Sequence, residues 1–256
     1  MDFQQKIEDW MRRAEEFGCR FDNVRFEWTA EAGVRVMAVR PQMNCCVKVG
    51  RALLVPRDKL VLTDSAHYVA EDAGLAPEAA SLVNEMLDFI LSDERVAGFK
   101  AMLTSFAALP EPLKVHLRQT GLAPALVPES MPTDAKIKAM LIQARVINWQ
   151  ERTTFMPFVD FVNHDRDGIP FDMDASGIAV RGRALEDGHL YALYSAADSF
   201  NLLNTYGFAG KSHFAWSVGM GLEWPRVGTV RVGRRFNAFE MCDGLRVPEV
   251  VRDEDG

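Results

Sequence analysis

Apolar residues recur at Phe3, Ile7, Trp10, Ala14 and Phe17 with charged residues between them, and Gly18 follows where a left-handed cap would end the turn. This spacing predicts an amphipathic helix that docks one face on a core. Between residues 21 and 63 the period shortens. Runs at 24–28, 34–39, 46–49 and 52–55, broken by Gly33, Pro41, Gly50 and Pro56, predict the short strands of a small twisted sheet. From 65 to 145 the helical period returns, first through Leu82, Met86, Phe89 and Ile90, then through Phe99, Met102, Leu103 and Phe106. Pro110, Pro112, Pro124, Pro128 and Pro132 punctuate the connections. Strands are expected again at 178–180, 190–194, 216–218 and 229–232. A short helix at 199–205 would start from Asp198 or Ser199 and stop at Tyr206-Gly207. The sum is an α+β chain without repeats or low-complexity segments.

One stretch stands apart. The apolar run at 155–162 ends abruptly in Asn163-His164, two side chains that carry several donors and acceptors. Burying both is costly unless each meets a defined partner. The following Asp165-Arg166-Asp167-Gly168 is expected to turn the chain sharply, with Gly168 free to take positive φ. Residues 163–174 also fit the opening of a calcium loop, but Pro170 lies in its middle, Asp174 is shorter than the usual final Glu, and the flanks have strand period. That alternative is set aside, and no metal is expected.

Composition narrows the class. The 256 residues are 48% hydrophobic and 25% charged, enough for one or two globular domains. A net charge of −7 disfavours nucleic acid and anionic membranes, and suits a basic partner such as a lysine-bearing protein segment. Cys19, Cys45, Cys46 and Cys242 include no CxxC, and the neighbours Cys45 and Cys46 face opposite ways on a strand. Free thiols follow, with neither zinc site nor disulfide framework. The first residues carry no signal-like apolar run, and no stretch reaches the roughly 18 apolar residues of a membrane span. The expectation is a soluble intracellular protein, cytoplasmic rather than nuclear or organellar.

Three motifs then occur in chain order. The first is Val49-Gly-Arg-Ala-Leu-Leu-Val-Pro-Arg57 and its continuation to Thr63; the second is Met156-Pro-Phe-Val-Asp-Phe-Val-Asn-His164; the third is Leu193-Tyr-Ser-Ala-Ala-Asp-Ser-Phe-Asn-Leu-Leu-Asn-Thr-Tyr-Gly-Phe208. Together they resemble the SET-domain methyltransferases, in the branch of the plant Rubisco large-subunit lysine methyltransferase, over residues 1 to about 218. The resemblance implies a mostly β SET core with a pseudoknot-like active site, interrupted by a helical insert. Its parts would be 1–64 (N-terminal helix and first part of the core), 65–145 (insert), 146–240 (second part, with the cofactor and tyrosine motifs) and 241–256 (a short acidic tail).

The resemblance also implies a protein-lysine N-methyltransferase that uses S-adenosylmethionine, with histidine as a second possible target. Carried over by position, Gly33, Val34, Arg35, Arg145, Asn163 and His164 would hold the cofactor. Tyr206 would be the catalytic tyrosine, and Tyr194 and Phe208 would line the substrate channel. Methyl transfer from a sulfonium is an in-line displacement, so fixed dipoles and aromatic faces that align a neutral amine suffice for it. Some positions depart from the family pattern: Arg35 stands where a glycine is usual, Ser195 for Gly, Ser199 for Asn and His189 for Glu. They motivate a second reading, a domain that keeps the fold but binds a protein segment without catalysis.

Overall fold

Helix α1 (Phe3–Glu15) buries Ile7, Trp10 and Ala14 and leaves its charged face in water, as the spacing predicts. Gly18 ends it at φ +80°. Trp10 donates to Glu85, and Arg13 grips the same carboxylate through two nitrogens at 2.9 Å each. These contacts, with Phe3 and Trp10 against Phe89, tie the N-terminal helix to a helix some 70 positions later. The structure is a computed structural model that describes residues 3–29, 33–119, 130–194, 202, 220–224, 228–233 and 249–252.

Short strands follow α1: β1 (Arg20–Asp22), β2 (Val24–Thr29), β3 (Gly33–Ala38) and β4 (Cys45–Gly50). β2 and β3 form an antiparallel hairpin in which Val24 faces Ala38 and Glu27 faces Arg35. In β4, Cys45, Val47 and Val49 join the core while Cys46 lies on the opposite face, as period-two geometry requires. The run at 52–55 is not a strand. It is a 3-10 turn, Arg51–Leu53, followed by the two-residue β5 (Val55–Pro56). Leu53, Leu54 and Val55 are buried in succession, which a pleated strand with one solvated face does not allow.

The hairpin of β6 (Leu60–Leu62) and β7 (His67–Val69) leads into α2 (Pro77–Ile90), α3 (Asp93–Ala107), α4 (Glu111–Gln119) and α5 (Asp134–Gln143). Leu82, Met86 and Ile90 of α2 are fully buried. On α3 only Val96 and Leu103 are buried, while Phe99, Met102 and Phe106 remain partly exposed. Strands resume with β8 (Val146–Trp149), β9 (Arg152–Phe155), β10 (His164–Pro170), β11 (Asp172–Asp174), β12 (Gly177–Gly182) and β13 (Ala192–Leu193). The largest sheet has the order β1-β4-β12-β11.

Contacts divide the chain into two units, Met1–Leu109 with Pro128–Tyr194, and Pro110–Val127 with Ser195–Gly256. The second unit holds α4 and an antiparallel sheet of β14 (Met220–Trp224), β15 (Gly228–Gly233) and β16 (Glu249–Arg252). β15 matches the strand expected at 229–232. The expected helix at 199–205 and strand at 216–218 lie outside the described residues, apart from the single position 202.

Two expectations near Asn163-His164 are corrected. Residues 165–168 do not reverse the chain: they bulge within β10, so that both His164 and Ile169 pair with Ala192 of β13, in parallel. Gly168 does not take positive φ. Its role is close approach, since a Cβ there would lie 2.6 Å from the carbonyl carbon of Ala192. The strand expected at 190–194 shrinks to Ala192–Leu193 because the segment changes partner. Leu190 donates to the carbonyl of Val36 in β3, and two residues on Ala192 pairs with β10.

Candidate functional site

The site grows from a strained turn. Phe158 sits at φ +66°, uncommon for a bulky residue, and its ring is fixed edge-on by Phe21 and Phe26. This packing forces the 3-10 turn Val159–Phe161, which lies against β3 and β4 and buries Asp160 among apolar neighbours. The Asp160 side chain is wholly buried, and neither carboxylate oxygen has a hydrogen-bond partner among the described residues. Burial pushes its carboxyl up to about 7, against the pull of the Arg145 and Arg95 guanidiniums.

Arg145 reaches Asp160 from the end of α5. Its Nη1 donates to the carbonyl of Leu141 at 2.9 Å, so the cation caps the helix C-terminus. Its Nε lies 3.3 Å from Asp160 Oδ2, close enough for attraction but not aligned as a hydrogen bond, and it too is buried without a partner. An ion pair left unsatisfied on both sides is costly to keep dry.

Three residues beyond Asp160 the chain is pinned to two distant segments. Asn163 Nδ2 donates to the carbonyl of Val34 in β3 at 3.1 Å, and the carbonyl of Asn163 accepts from Ala192. His164 Nδ1 lies 3.1 Å from the backbone nitrogen of Tyr194 and 3.2 Å from the carbonyl oxygen of Ala192, so the ring is held against the backbone of that segment. The Tyr194 hydroxyl donates to the carbonyl of Val162 at 2.7 Å. Its ring stacks on Phe171 with centroids 6.0 Å apart and leans against His164 at 5.2 Å, leaving an aromatic wall beside the junction.

The structure therefore brings Val34, Asn163, His164 and Tyr194 together, and joins Arg145 to the same segment through Asp160. Gly33 opens β3 at φ +69°, a conformation that suits glycine, with open space where a Cβ would stand. Arg35 has no positive φ; it is an ordinary strand residue opposite Glu27, so the position needs no glycine's conformational freedom. His189 is held by Asp187 on a turn beside β3, where Gly188 accepts from Ala38. Tyr206 and Phe208 lie outside the described residues. Sequence reasoning passed over Asp160 and Arg95 as site residues. A lone acid in an apolar run was a usable signal for Asp160; Arg95, between Glu94 and Val96 on a helix, offered none.

What the cluster can hold follows from its unsatisfied atoms. A part-buried cation and a buried anion, each with free hydrogen-bonding capacity, suit a small zwitterion such as the amino-acid end of a cofactor. Asn163 adds a neutral amide whose Oδ1 has no partner among the described residues.

No family model matches the chain, and no curated protein does. Among solved structures it is similar to the SET domain of LSMT bound to lysine and AdoHcy, with a TM-score of 0.44 and 15% identity over 82% of this chain and 58% of that one. It is similar to Rubisco LSMT bound to AdoMet, with a TM-score of 0.45 and 14% identity over 87% of this chain and 60% of that one. Rubisco LSMT bound to sinefungin and monomethyllysine gives 0.40 and 16%, over 81% and 56%. The chain thus spans less than two thirds of the length of these structures, which belong to the branch that the three motifs resemble.

Proposed function

We propose that this chain transfers a methyl group from S-adenosylmethionine to a lysine side chain of a protein substrate. The observation that carries the reading is the Arg145–Asp160 pair just ahead of the Asn163-His164 junction, in which the buried Nε of Arg145 and both carboxylate oxygens of Asp160 have no hydrogen-bond partner among the described residues. Arg145 suits a carboxylate and Asp160 an ammonium, the two charges of an α-amino acid. When bound, S-adenosylmethionine would supply a methyl group on a sulfonium, open to attack by a neutral amine.

The residues of the chain have positional work. Asn163 fixes β3 against the junction, so that the backbone at Gly33 and Val34 would form one wall and the amide oxygen of Asn163 would be free to accept from the ligand. Val162 and His164 hold Tyr194 through its hydroxyl and backbone, which orients its ring for contact with a methylated ammonium or a sulfonium. Tyr206 is assigned the alignment of the amine, and Phe208 a place in the channel wall. A dry aromatic channel lowers the pKa of an entering lysine and so favours its nucleophilic form. The net charge of −7 favours a basic substrate segment.

The test is titration of S-adenosylhomocysteine into the protein, followed by incubation of cell lysate with methyl-labelled cofactor. Binding heat and labelled lysine in a protein band support the reading. No heat and no thermal shift would overturn it and favour a domain that binds a protein segment without catalysis.

A further inference from the structure

Arg95 is placed where a helix gains nothing from it. It is the third residue of α3, where the positive end of the helix dipole disfavours a cation, and Asp93 and Glu94 beside it are the charges that end prefers. Its guanidinium lies 4.6 Å from the centre of the Phe89 ring, half-buried, with no ion pair or hydrogen bond among the described residues. A planar group with five donors is held by stacking alone. α3 packs against α5, the helix that Arg145 follows. The Phe89 ring under Arg95 packs edge-on against Phe161, the residue after Asp160, with centroids 6.1 Å apart, which brings Arg95 toward the Arg145–Asp160 pair. Burial disfavours the charge of Arg95, Arg145 adds to that, and Asp160 favours it.

Two guanidiniums around one buried carboxylate leave an excess of one positive charge in a place poor in water. Like charges held there are repulsive unless an anion joins them. Resting on the cofactor reading above, we propose that Arg95 is a second cationic contact for the carboxylate of the bound cofactor, so that the helical segment forms part of the cofactor pocket. Arg145 and Arg95 then share the ligand carboxylate while Asp160 faces its ammonium, so that an anion stands between the two cations although the zwitterion leaves the net charge of the cluster unchanged.

The experiment compares two ligands in wild type, Arg95→Gln and Arg95→Lys by calorimetry. S-adenosylhomocysteine carries the amino-acid group; 5′-methylthioadenosine keeps the nucleoside and thioether but lacks it. Loss of a charge-assisted contact should weaken S-adenosylhomocysteine about tenfold or more in Arg95→Gln and leave 5′-methylthioadenosine unchanged, with Arg95→Lys between. Equal weakening of both ligands, or of neither, overturns the proposal. If wild type binds neither ligand, the cofactor reading fails and takes this proposal with it; if wild type binds and the variants bind alike, only Arg95 is wrongly assigned. Should Arg95→Gln not fold, Arg95→Lys carries the same comparison, and an unchanged affinity for S-adenosylhomocysteine overturns the proposal.

Discussion

Asn163 Nδ2 donates to the carbonyl oxygen of Val34 at 3.1 Å, joining positions 129 residues apart in the chain. One side chain thus holds an edge of the β2–β3 hairpin against the segment that carries Asp160 and His164. Asn163→Ala would leave the Val34 carbonyl without that donor, at a cost of about 1 to 3 kcal/mol in stability. It would also free the hairpin edge beside the proposed ligand. Denaturant unfolding and cofactor titration of the variant should both move. Unchanged unfolding with lost binding would assign Asn163 to the ligand alone, and the reverse would make it a structural pin.

Gly168 is the second point of closure. A methyl group there would press on the backbone of Ala192, with its carbonyl carbon at 2.6 Å and its oxygen at 2.8 Å. Because both contacts are backbone, neither can step aside without moving β13 from β10. Gly168→Ala is expected to destabilise the protein by about 1 to 3 kcal/mol and to weaken cofactor binding through displacement of Tyr194. A melting temperature equal to that of wild type would show that the bulge relaxes freely.

Asp160 gives a pH signature. Burial raises its folded pKa from 3.8 to about 7, so between those values the folded protein holds a proton that the unfolded chain has released. Its contribution to stability is therefore fully present below pH 4 and is lost as pH rises through about 7, beyond which the curve levels. A bound ammonium would favour the ionised carboxylate, so binding should tighten toward pH 7 with release of up to one proton. Calorimetry in buffers of different ionisation enthalpy counts that proton. In Asp160→Asn both the proton release and this part of the stability profile should vanish; their persistence would point to another group.

Tyr206 is assigned the alignment of the amine, for which only its hydroxyl matters. Tyr206→Phe should leave unfolding and S-adenosylhomocysteine affinity near wild type while turnover falls roughly tenfold or more, at least about 1.4 kcal/mol in the barrier. An unchanged turnover would remove Tyr206 from the proposed alignment of the amine.

Much of the secondary structure was legible because it is local. Helix α1, the hairpin of β2 and β3, strand β4 and helix α2 each follow from which positions in a short window are apolar. Periodicity states which face seeks cover, not what covers it. For that reason the run at 52–55 could not be told from a strand, and the apolar positions of α3 seemed more buried than they are. It also hid the change of partner from β3 to β10 within residues 190–193.

The site divides the same way. Asn163 and His164 announced themselves by placing several donors and acceptors at the end of an apolar run, and the sequence alone determined that they would need partners. Which partners was decided by the tertiary structure, since Val34, Ala192 and Tyr194 are remote in the chain and are met through backbone atoms that no side-chain pattern records. Gly168 shows the difference most plainly: its residue type is compatible with a turn or with close approach, and only the position of Ala192 decides between them. Arg145, Asp160 and Arg95 form a cluster for an equally spatial reason. An excess of buried charge is a property of groups brought together by packing, and none of the three carries it alone.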